Sequence, residues 1–183
     1  MDWTEFYADR VGSTTYYLHF ITKYGPFLDK IVDALPPCMY GVGEFGCGIG
    51  NTTKFLIEAG LPHHHYCYDI DQDMLYLAKQ NIKLQNKKCL YREWDITRAM
   101  PPRKYDLIHS HGVLEHFRDV EIQSIIYHQL NMTDTVVHYV PGQYESPSFG
   151  DERLMSPEQW RSILSDYNVT VESFNENDIL IYS

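Results

Sequence analysis

The N-terminal part of the chain has the apolar spacing of two amphipathic helices. In the first stripe, apolar and aromatic residues recur three or four positions apart, at Tyr17, Phe20, Ile21 and Tyr24. Gly25-Pro26 interrupts this stripe, and a second one follows over residues 27–35. Pro36-Pro37 then ends the helical pattern. We therefore expect residues 1–36 to form an N-terminal helical lid.

From residue 38 onward, short apolar runs alternate with helical stripes. The pattern predicts strands over residues 39–45, 66–70, 89–94, 105–110 and 135–140, and helices over residues 51–59, 71–83 and 119–130. The second of these helices is predicted to begin at an acidic cap, Asp71. The connection over residues 96–104 is short and contains Pro101-Pro102, so no full crossover helix is expected there. This alternation predicts a right-handed, mostly parallel sheet that binds ligands at the carboxyl ends of its strands.

The C-terminal part has a clear helix start and a hairpin pattern. Ser156 and Gln159 form a capping box around Pro157, which predicts a helix to about Leu164. Residues 169–174 and 179–182 read as a hairpin of two edge strands. The fold class predicted is α/β: a Rossmann-like sheet with helices on both faces and a closing antiparallel hairpin. With 183 residues, we expect one domain, a lid over residues 1–36 and a core over residues 37–183.

The charge balance narrows the classes of partner. Fifteen Lys and Arg residues face 25 Asp and Glu residues, a formal net charge of -10 that repels phosphate backbones and anionic membranes. No run approaches the roughly 18 apolar residues of a membrane span. The four cysteines include no C-x-x-C pair, as is typical of reduced thiols. We expect a cytoplasmic protein without nucleic-acid or membrane partners.

A glycine-rich segment from Tyr40 to Asn51 ends one predicted strand and opens a predicted helix. Counted from Gly41 it reads G-x-G-x-x-G, with Asp69 at the distance of a ribose-binding acid, as in dinucleotide-binding oxidoreductases. Counted from Glu44 it reads E-x-G-x-G-x-G, and the first apolar turn of the helix follows the loop directly. We favour the second count because the first would place glycines inside the helix.

Further motifs follow the glycine loop in order. Asp69 ends the second predicted strand, Asp95-Ile96 follow the third, and the segment Gly112-Val113-Leu114-Glu115-His116 follows the fourth. From about residue 38 to its end, the chain thus resembles the class I S-adenosylmethionine-dependent methyltransferases, in particular their small-molecule members. Four elements in this order are a far more specific signal than the glycines alone.

The resemblance implies that S-adenosylmethionine is the cofactor and that the glycine loop holds it. Glu44 would open the loop, and the backbone of Gly46, Gly48 and Gly50 would lie against the amino-acid part of the cofactor. Asp69 would bind both ribose hydroxyls. A carboxylate is suited to this role because it accepts hydrogen bonds from two adjacent hydroxyls.

The resemblance assigns the adenine to the residues after the third strand. The Asp95 carboxylate would accept from the adenine amine, and the backbone amide of Ile96 would donate to the ring. Further cofactor contacts are expected from Cys47, Asn51, Ile70 and Ser110.

Methyl transfer is an in-line displacement that positioning and exclusion of water can accelerate, so a catalytic base is optional. If a base is used, the candidates are the three histidines after the fourth strand, His109, His111 and His116, of which we favour the last two. No metal site is expected, because these histidines lack a partnering cysteine or carboxylate motif. The triplet His63-His64-His65 is predicted to be a solvated turn.

The acceptor pocket is expected between the loop over residues 141–155 and the N-terminal region. In the loop, Tyr144, Phe149 and Arg153 are the candidate substrate-binding residues. In the N-terminal region, the residues that could reach the cofactor or the acceptor are Arg10, Tyr16 and Tyr17.

Negative observations favour a small-molecule acceptor. The place of an N-P-P-Y or D-P-P-Y tetrad, as in amino-methylating DNA enzymes, holds residues 110–113 with the sequence SHGV, and there is no basic patch. Two alternatives remain open. One is a nicotinamide-dinucleotide-binding oxidoreductase domain, and the other is a non-catalytic protein that binds S-adenosylmethionine.

Overall fold

The computed structural model describes residues 3–61, 64–82, 89–98, 103–143, 151–175 and 177–183. It begins with three helices, α1 (Trp3–Ala8), α2 (Thr14–Lys23) and α3 (Gly25–Ala34). The chain then continues as β1 (Val42–Phe45), α4 (Asn51–Glu58), β2 (His65–Asp69), α5 (Gln72–Ile82), β3 (Cys89–Glu93), β4 (Leu107–His111), a 3-10 turn (Leu114–His116), α6 (Asp119–Leu130), β5 (Val136–Pro141), α7 (Pro157–Ile163), β6 (Thr170–Phe174) and β7 (Asp178–Tyr182). The predicted order of helices and strands is confirmed from α2 onward, with ends that differ by a few residues. No helix of the described ranges is long and apolar enough to span a membrane.

Seven strands form one sheet in the order β3-β2-β1-β4-β5-β7-β6. The first five strands run parallel, and β7 runs antiparallel to both of its neighbours. The strand order reverses between β1 and β4, which is where sheets of this kind leave a crevice at the carboxyl ends of the strands. The predicted Rossmann-like α/β fold with a closing antiparallel hairpin is confirmed.

Helices cover both faces of the sheet. On one face, α2 and α3 bury Phe20, Phe27 and Ile31 against β4, β5 and β7. On the other, α6 and α7 bury Ile125 and Trp160 in the largest apolar cluster. The N-terminal region expected to be a lid therefore has two parts: α3 belongs to the core, whereas α1 borders the crevice.

The predicted position of the hairpin at the edge is wrong for one of its strands. β7 lies inside the sheet, between β5 and β6, so of the two hairpin strands it is β6 that lies at an edge. The reason is visible in its burial: Ile179, Leu180 and Ile181 are all buried, on both faces of the strand. Such a continuous apolar run is typical of an internal strand, whereas an edge or half-exposed strand alternates.

The start of β1 is fixed by a buried aspartate that lies far away in sequence. The Asp106 carboxylate accepts hydrogen bonds from three successive backbone amides: Met39 at 3.0 Å, Tyr40 at 2.9 Å and Gly41 at 2.7 Å. Residues 39–41 are consequently not part of the strand, which explains why β1 begins later than predicted. Because β1 leads directly into the glycine loop, this anchor also places the crevice.

We expect Asp106→Ala to lower the free energy of unfolding by about 3 kcal/mol, because three partly or fully buried amides lose their acceptor. Equilibrium denaturation in urea measures the change. Asp134→Ala, at an exposed position near the start of β5, is the matched control. Equal stability of the two variants would contradict the anchoring role.

Candidate active site

A cavity of about 480 Å³ opens at the carboxyl ends of β1, β2 and β4. It is lined by the glycine loop, the end of β2, the segment after β4 and the N-terminal helices. From the core, the lining residues include Glu44, Gly46, Cys47, Gly48, Asn51, Asp69, Ile70, Asp71, His111, Glu115, His116 and Tyr139. The N-terminal helices contribute Trp3, Phe6, Tyr7, Tyr16, Lys23 and Tyr24.

The loop between β1 and α4 decides how the glycines are counted. Gly46, Gly48 and Gly50 have φ angles of 67°, 52° and 70°, in the left-handed region that favours glycine. A Cβ atom on Gly46 would come within 2.6 Å of the Val113 side chain. Gly43, in contrast, lies within β1 and has no left-handed φ, although a Cβ atom there would approach the Phe45 and Tyr105 rings at 3.0 Å and 3.1 Å. The E-x-G-x-G-x-G count from Glu44 is therefore correct.

Asp69 at the end of β2 holds this loop in place. Its Oδ2 accepts the Gly48 amide at 2.8 Å, and its Oδ1 accepts the Asp71 amide at 3.1 Å. Burial raises the pKa of Asp69 above its ordinary value, although these two amides oppose the shift. Asp71 caps α5 through the Asp73 amide at 2.8 Å, which confirms the cap predicted there. A carboxylate that still has free lone pairs thus faces the cavity.

Glu44 is a second buried carboxyl in the cavity wall. Its side chain is held by Thr53, whose amide and hydroxyl donate to Oε2 at 3.2 Å and 2.5 Å. Burial raises the pKa of Glu44 to about 7, in spite of these hydrogen bonds. The interaction also fixes the first turn of α4 to β1.

Glu115, in the 3-10 turn after β4, is the most unusual group of the cavity. It is 2% exposed, and among the described residues its Oε2 has no hydrogen-bond partner. Burial raises the pKa of Glu115 to about 8, and the charges of Glu152 and Asp151 contribute to the shift. His116 beside it places Nε2 3.9 Å from Glu115 Oε1 and Nδ1 3.1 Å from Asp151 Oδ1. Glu115 is not among the site residues that the sequence predicts, although it belongs to the segment Gly112-Val113-Leu114-Glu115-His116 that follows the fourth strand.

His111, at the end of β4, lies in an aromatic box at the base of the cavity. Its ring stacks on Tyr139 at 4.4 Å and meets Tyr24 edge-on at 4.2 Å, with Phe20 and Phe27 next to it. Within the described ranges, its Nε2 has no hydrogen-bond partner. Burial lowers the pKa of His111 to about 3, so the ring is neutral at physiological pH. The structure thus places His111 and His116 in the cavity, and a catalytic role of either residue remains a prediction.

Helix α1 contributes an aromatic wall that the sequence pattern did not indicate. Trp3 stacks on Tyr7 with ring centroids 6.0 Å apart and meets the His116 ring edge-on at 6.0 Å. Tyr7 also contacts Tyr16 of α2 at 6.5 Å. Because α1 has only six residues, it is too short for a periodic pattern to identify.

Several predicted cofactor residues do not line this cavity. Asp95 accepts the amide and hydroxyl of Thr97 at 2.9 Å and 2.6 Å and pairs with Arg98, interactions that lower its pKa. Ile96 is buried in the core, next to residues of β1 and β2. Ser110 is also fully buried and hydrogen-bonds to His138 Nδ1 at 2.8 Å, because alternate residues of β4 point to opposite faces of the sheet.

The predicted N-terminal contacts, Arg10 and Tyr17, also lie outside the lining. The Arg10 guanidinium hydrogen-bonds to the Phe6 carbonyl and covers the Phe6 ring at 3.7 Å. The Tyr17 ring carries the Lys54 ammonium 4.0 Å from its centroid. Tyr17 therefore joins α2 to α4.

Of the predicted acceptor residues, Tyr144 and Phe149 lie outside the described residues. Arg153 is described, but it does not line the main cavity. Its guanidinium bonds to the Phe117 carbonyl and to Asp119, each at 2.5 Å, and its amide donates to the Glu115 carbonyl at 3.0 Å. Arg153 thus holds the segment after residue 150 against the 3-10 turn.

The structure corrects the predicted solvated turn before β2. His65 is the first residue of β2 and is buried, whereas His64 is exposed and its carbonyl accepts the Val42 amide at 2.7 Å. His63 lies outside the described residues. His109 is buried in β4 as well, away from the lining. Among the side chains that the structure describes, no group of three His, Cys, Asp or Glu residues could hold a metal ion.

Comparisons with known proteins agree with this geometry. A family model described as a methyltransferase domain matches residues 44–129, which hold the glycine loop, Asp69 and Glu115. None of the curated protein sequences matches the chain. The solved structures with similar folds have low sequence identity to this chain. One is described as a pericyclic reaction enzyme (14% identity, TM-score 0.64, covering 85% of this chain and 46% of its own). Others are methyltransferases, and three of these are described next.

Magnesium protoporphyrin IX methyltransferase (ChlM) from Synechocystis PCC 6803, with bound S-adenosylhomocysteine, is 17% identical at a TM-score of 0.68, covering 90% of this chain and 83% of its own. The methyltransferase domain of bacterial-CtHen1-C is 14% identical at a TM-score of 0.71, covering 88% of this chain and 96% of its own. An S-adenosylmethionine-dependent methyltransferase from Clostridium acetobutylicum ATCC 824 is 15% identical at a TM-score of 0.69, covering 88% and 91%.

The chain therefore has the class I methyltransferase fold, and its residues 44–129 match the family model of a methyltransferase domain. Among the structures with this fold, ChlM has been crystallised with S-adenosylhomocysteine and with S-adenosylmethionine. The glycine count and the family-model match favour this class over the nicotinamide-dinucleotide-binding oxidoreductase alternative.

The raised pKa of Glu115 predicts a characteristic dependence of stability on pH. A carboxyl whose pKa is higher in the folded than in the unfolded state stabilises the fold when protonated, and this stability is lost as pH rises from about 4.5 to about 8. We expect Glu115→Gln to become more stable relative to wild type by on the order of 3 kcal/mol between pH 5 and pH 8.

Urea denaturation at a series of pH values measures this difference. Glu172→Gln, at an exposed position of β6, is the control and leaves the cavity unchanged. A constant difference between Glu115→Gln and wild type across the range would show that Glu115 is not desolvated in solution.

Proposed function

We propose that this protein transfers the methyl group of S-adenosylmethionine to a small-molecule acceptor. The observation that carries this proposal is the composition of the cavity. One half consists of the glycine loop, Asp69 and Ile70, and the other half consists of aromatic rings and the buried Glu115. At about 480 Å³ the cavity falls within the usual range of small-ligand sites.

The first half fits the cofactor through the chemistry of its residues. Asp69 offers carboxylate lone pairs for two adjacent hydroxyls, and its bond to Gly48 holds it against the loop. The left-handed loop lets its backbone approach a ligand without side-chain clashes. The exposed Ile70 side chain provides an apolar surface beside Asp69 for an aromatic base. When bound, the cofactor supplies a methyl group activated by positively charged sulfur.

The second half would bind and orient the acceptor. The wall of α1 with Trp3 and Tyr7 lines this part of the cavity and would limit the access of water to a bound acceptor. Catalysis then follows mainly from positioning, because an in-line displacement is accelerated by holding both reactants in a dry, aligned arrangement. Neutral His111 at the base of the cavity keeps one unprotonated ring nitrogen and has no partner for Nε2 among the described residues, so in the tautomer with the proton on Nδ1 it could accept a hydrogen bond from the acceptor.

The charge of the molecule supports a small acceptor over a nucleic acid. The formal net charge of -10 repels a phosphate backbone. Moreover, the cavity is lined by the carboxyl groups of Glu44, Asp69, Asp71, Glu115 and Glu152, against the ammonium of Lys23. An acidic enclosed cavity of this kind favours neutral or cationic small molecules.

The role proposed for Asp69 predicts that its substitution weakens the binding of S-adenosylhomocysteine. We expect Asp69→Asn to weaken the binding of S-adenosylhomocysteine by about tenfold or more, because the substituted amide replaces one acceptor oxygen with a donor and disturbs the Gly48 bond. Isothermal titration calorimetry gives the affinity. The matched control is Asp73→Asn, at an exposed position in the first turn of α5.

Unchanged affinity of Asp69→Asn would remove this residue from the cofactor site. The same titration with oxidised nicotinamide dinucleotide should show no binding, and binding of that compound alone would overturn the cofactor assignment.

The acceptor class is tested with labelled S-adenosylmethionine. The protein is incubated with pools of small amines, phenols and carboxylic acids, and in separate reactions with RNA and with cellular protein. Label transferred to a small molecule supports the proposal, whereas label found only in RNA or protein contradicts it. Tight cofactor binding without transfer in any reaction would favour a non-catalytic cofactor-binding protein.

A further inference from the structure

The acceptor half of the cavity contains a buried carboxyl that nothing in the described structure neutralises. Glu115 is 2% exposed, and the nearest cationic candidate is the His116 ring, with Nε2 3.9 Å from Oε1. His116 is already engaged at Nδ1 by Asp151, at 3.1 Å. The unpaired atom is Oε2, which has no hydrogen-bond partner among the described residues. A buried carboxyl oxygen that lacks a partner destabilises a protein, so its presence beside a cavity points to a ligand that completes it.

The cavity that Glu115 lines also contains aromatic rings, which can bind cations. Trp3 lies edge-on to His116 at 6.0 Å, and Tyr7 stacks on Trp3. Tyr139, a residue of β5, also lines the cavity, and the charge of Glu115 contributes to the raised pKa of its hydroxyl. The faces of tryptophan and tyrosine rings attract ammonium groups, most strongly where water is excluded.

The charge around Glu115 also discriminates between acceptors. Glu152 and Asp151 carry carboxylates that act on Glu115 with the same sign, and both would repel an anionic acceptor. With a neutral hydroxyl acceptor the Glu115 carboxyl would stay protonated and no charge pair would form, whereas an ammonium group would pair with its carboxylate form.

We propose that the methyl acceptor is a small amine, which Glu115 binds as its ammonium form among the aromatic rings and then deprotonates. This inference rests on the proposed function and specifies its substrate class. Glu115 is a catalytic residue in this proposal, because it contacts the reacting nitrogen.

The step balances without any further reactant. The ammonium group gives one proton to the Glu115 carboxylate, which leaves a nitrogen lone pair free. That nitrogen forms a bond to the methyl carbon while the bond between this carbon and sulfur breaks, and its electron pair stays on sulfur. The products are S-adenosylhomocysteine and the methylated ammonium ion, and Glu115 releases the proton to solvent.

The groups that face Glu115 set the pH range of this step. They are His116 in the same turn, Asp151 and Glu152 in the segment opposite, and the Tyr139 hydroxyl on β5. A pKa of Glu115 near 8 makes it a base suited to neutral or slightly alkaline solution, and a bound cation lowers this pKa.

The test uses the full chain saturated with S-adenosylhomocysteine and three matched probes, phenethylamine, phenethyl alcohol and phenylacetate, with histamine as a second amine. Calorimetry should show that at least one amine binds at least about tenfold more tightly than the alcohol, and that phenylacetate does not bind. Glu115→Gln should lose about tenfold or more of the amine affinity and keep its affinity for S-adenosylhomocysteine. Glu172→Gln, on the surface, should behave as wild type.

The rate of methyl transfer to the amine that binds provides a second measurement. In Glu115→Gln, kcat should fall by about a hundredfold or more, and the rise of the wild-type rate with pH should disappear. A purely structural role of Glu115 would instead change the affinity for S-adenosylhomocysteine and for the amine together.

Three outcomes would overturn the inference: equal amine affinity of wild type and Glu115→Gln, preference for the alcohol or for phenylacetate, and failure of both amines to bind the saturated protein. Each of them leaves the proposed function intact as long as S-adenosylhomocysteine binds. Failure of S-adenosylhomocysteine itself to bind would instead reject the proposed function, and the inference with it.

Discussion

The hydrogen bond from the Gly48 amide to the Asp69 carboxylate joins the ends of two neighbouring parallel strands. It holds the left-handed glycine loop against β2 at 2.8 Å, and α4 begins directly after that loop. The Glu44 bonds to Thr53 then fix the first turn of α4 to β1. Because these contacts fix the carboxyl end of β1, one of the two strands between which the strand order reverses, the position of the crevice depends on them.

The two halves of the cavity use carboxyl groups in different ways. Asp69 and Glu44 are hydrogen-bonded by the protein itself, so they are positioned before any ligand binds. Glu115 lacks such support at Oε2 and is desolvated, which costs stability in the empty protein. Local violations of the rule that buried polar groups are paired concentrate at functional sites. This contrast is consistent with a preformed cofactor site beside an acceptor site that is completed by its ligand.

The histidines after the fourth strand show how a strand separates residues that are adjacent in sequence. His109 and His111 point to the same face of β4, where both contact Phe27, whereas Ser110 points to the other face and bonds to His138. Only His111 reaches the cavity, because it is the last residue of the strand. Its aromatic surroundings make it a neutral ring that can accept a hydrogen bond, and the stronger base in the cavity is Glu115.

The sequence by itself determined the features that depend on a few neighbouring residues. These are the order of the elements from α2 onward, the glycine loop with Asp69, and the helix caps at Asp71 and Ser156, because backbone conformation and capping act within one turn of chain. Tertiary structure decided the rest. It placed β7 inside the sheet, tied Asp106 to residues 39–41, brought α1 over the cavity and buried Glu115. Each of these depends on packing between segments far apart in the chain, which a local pattern cannot contain, since burial and hydrogen-bond partners are properties of the assembled fold.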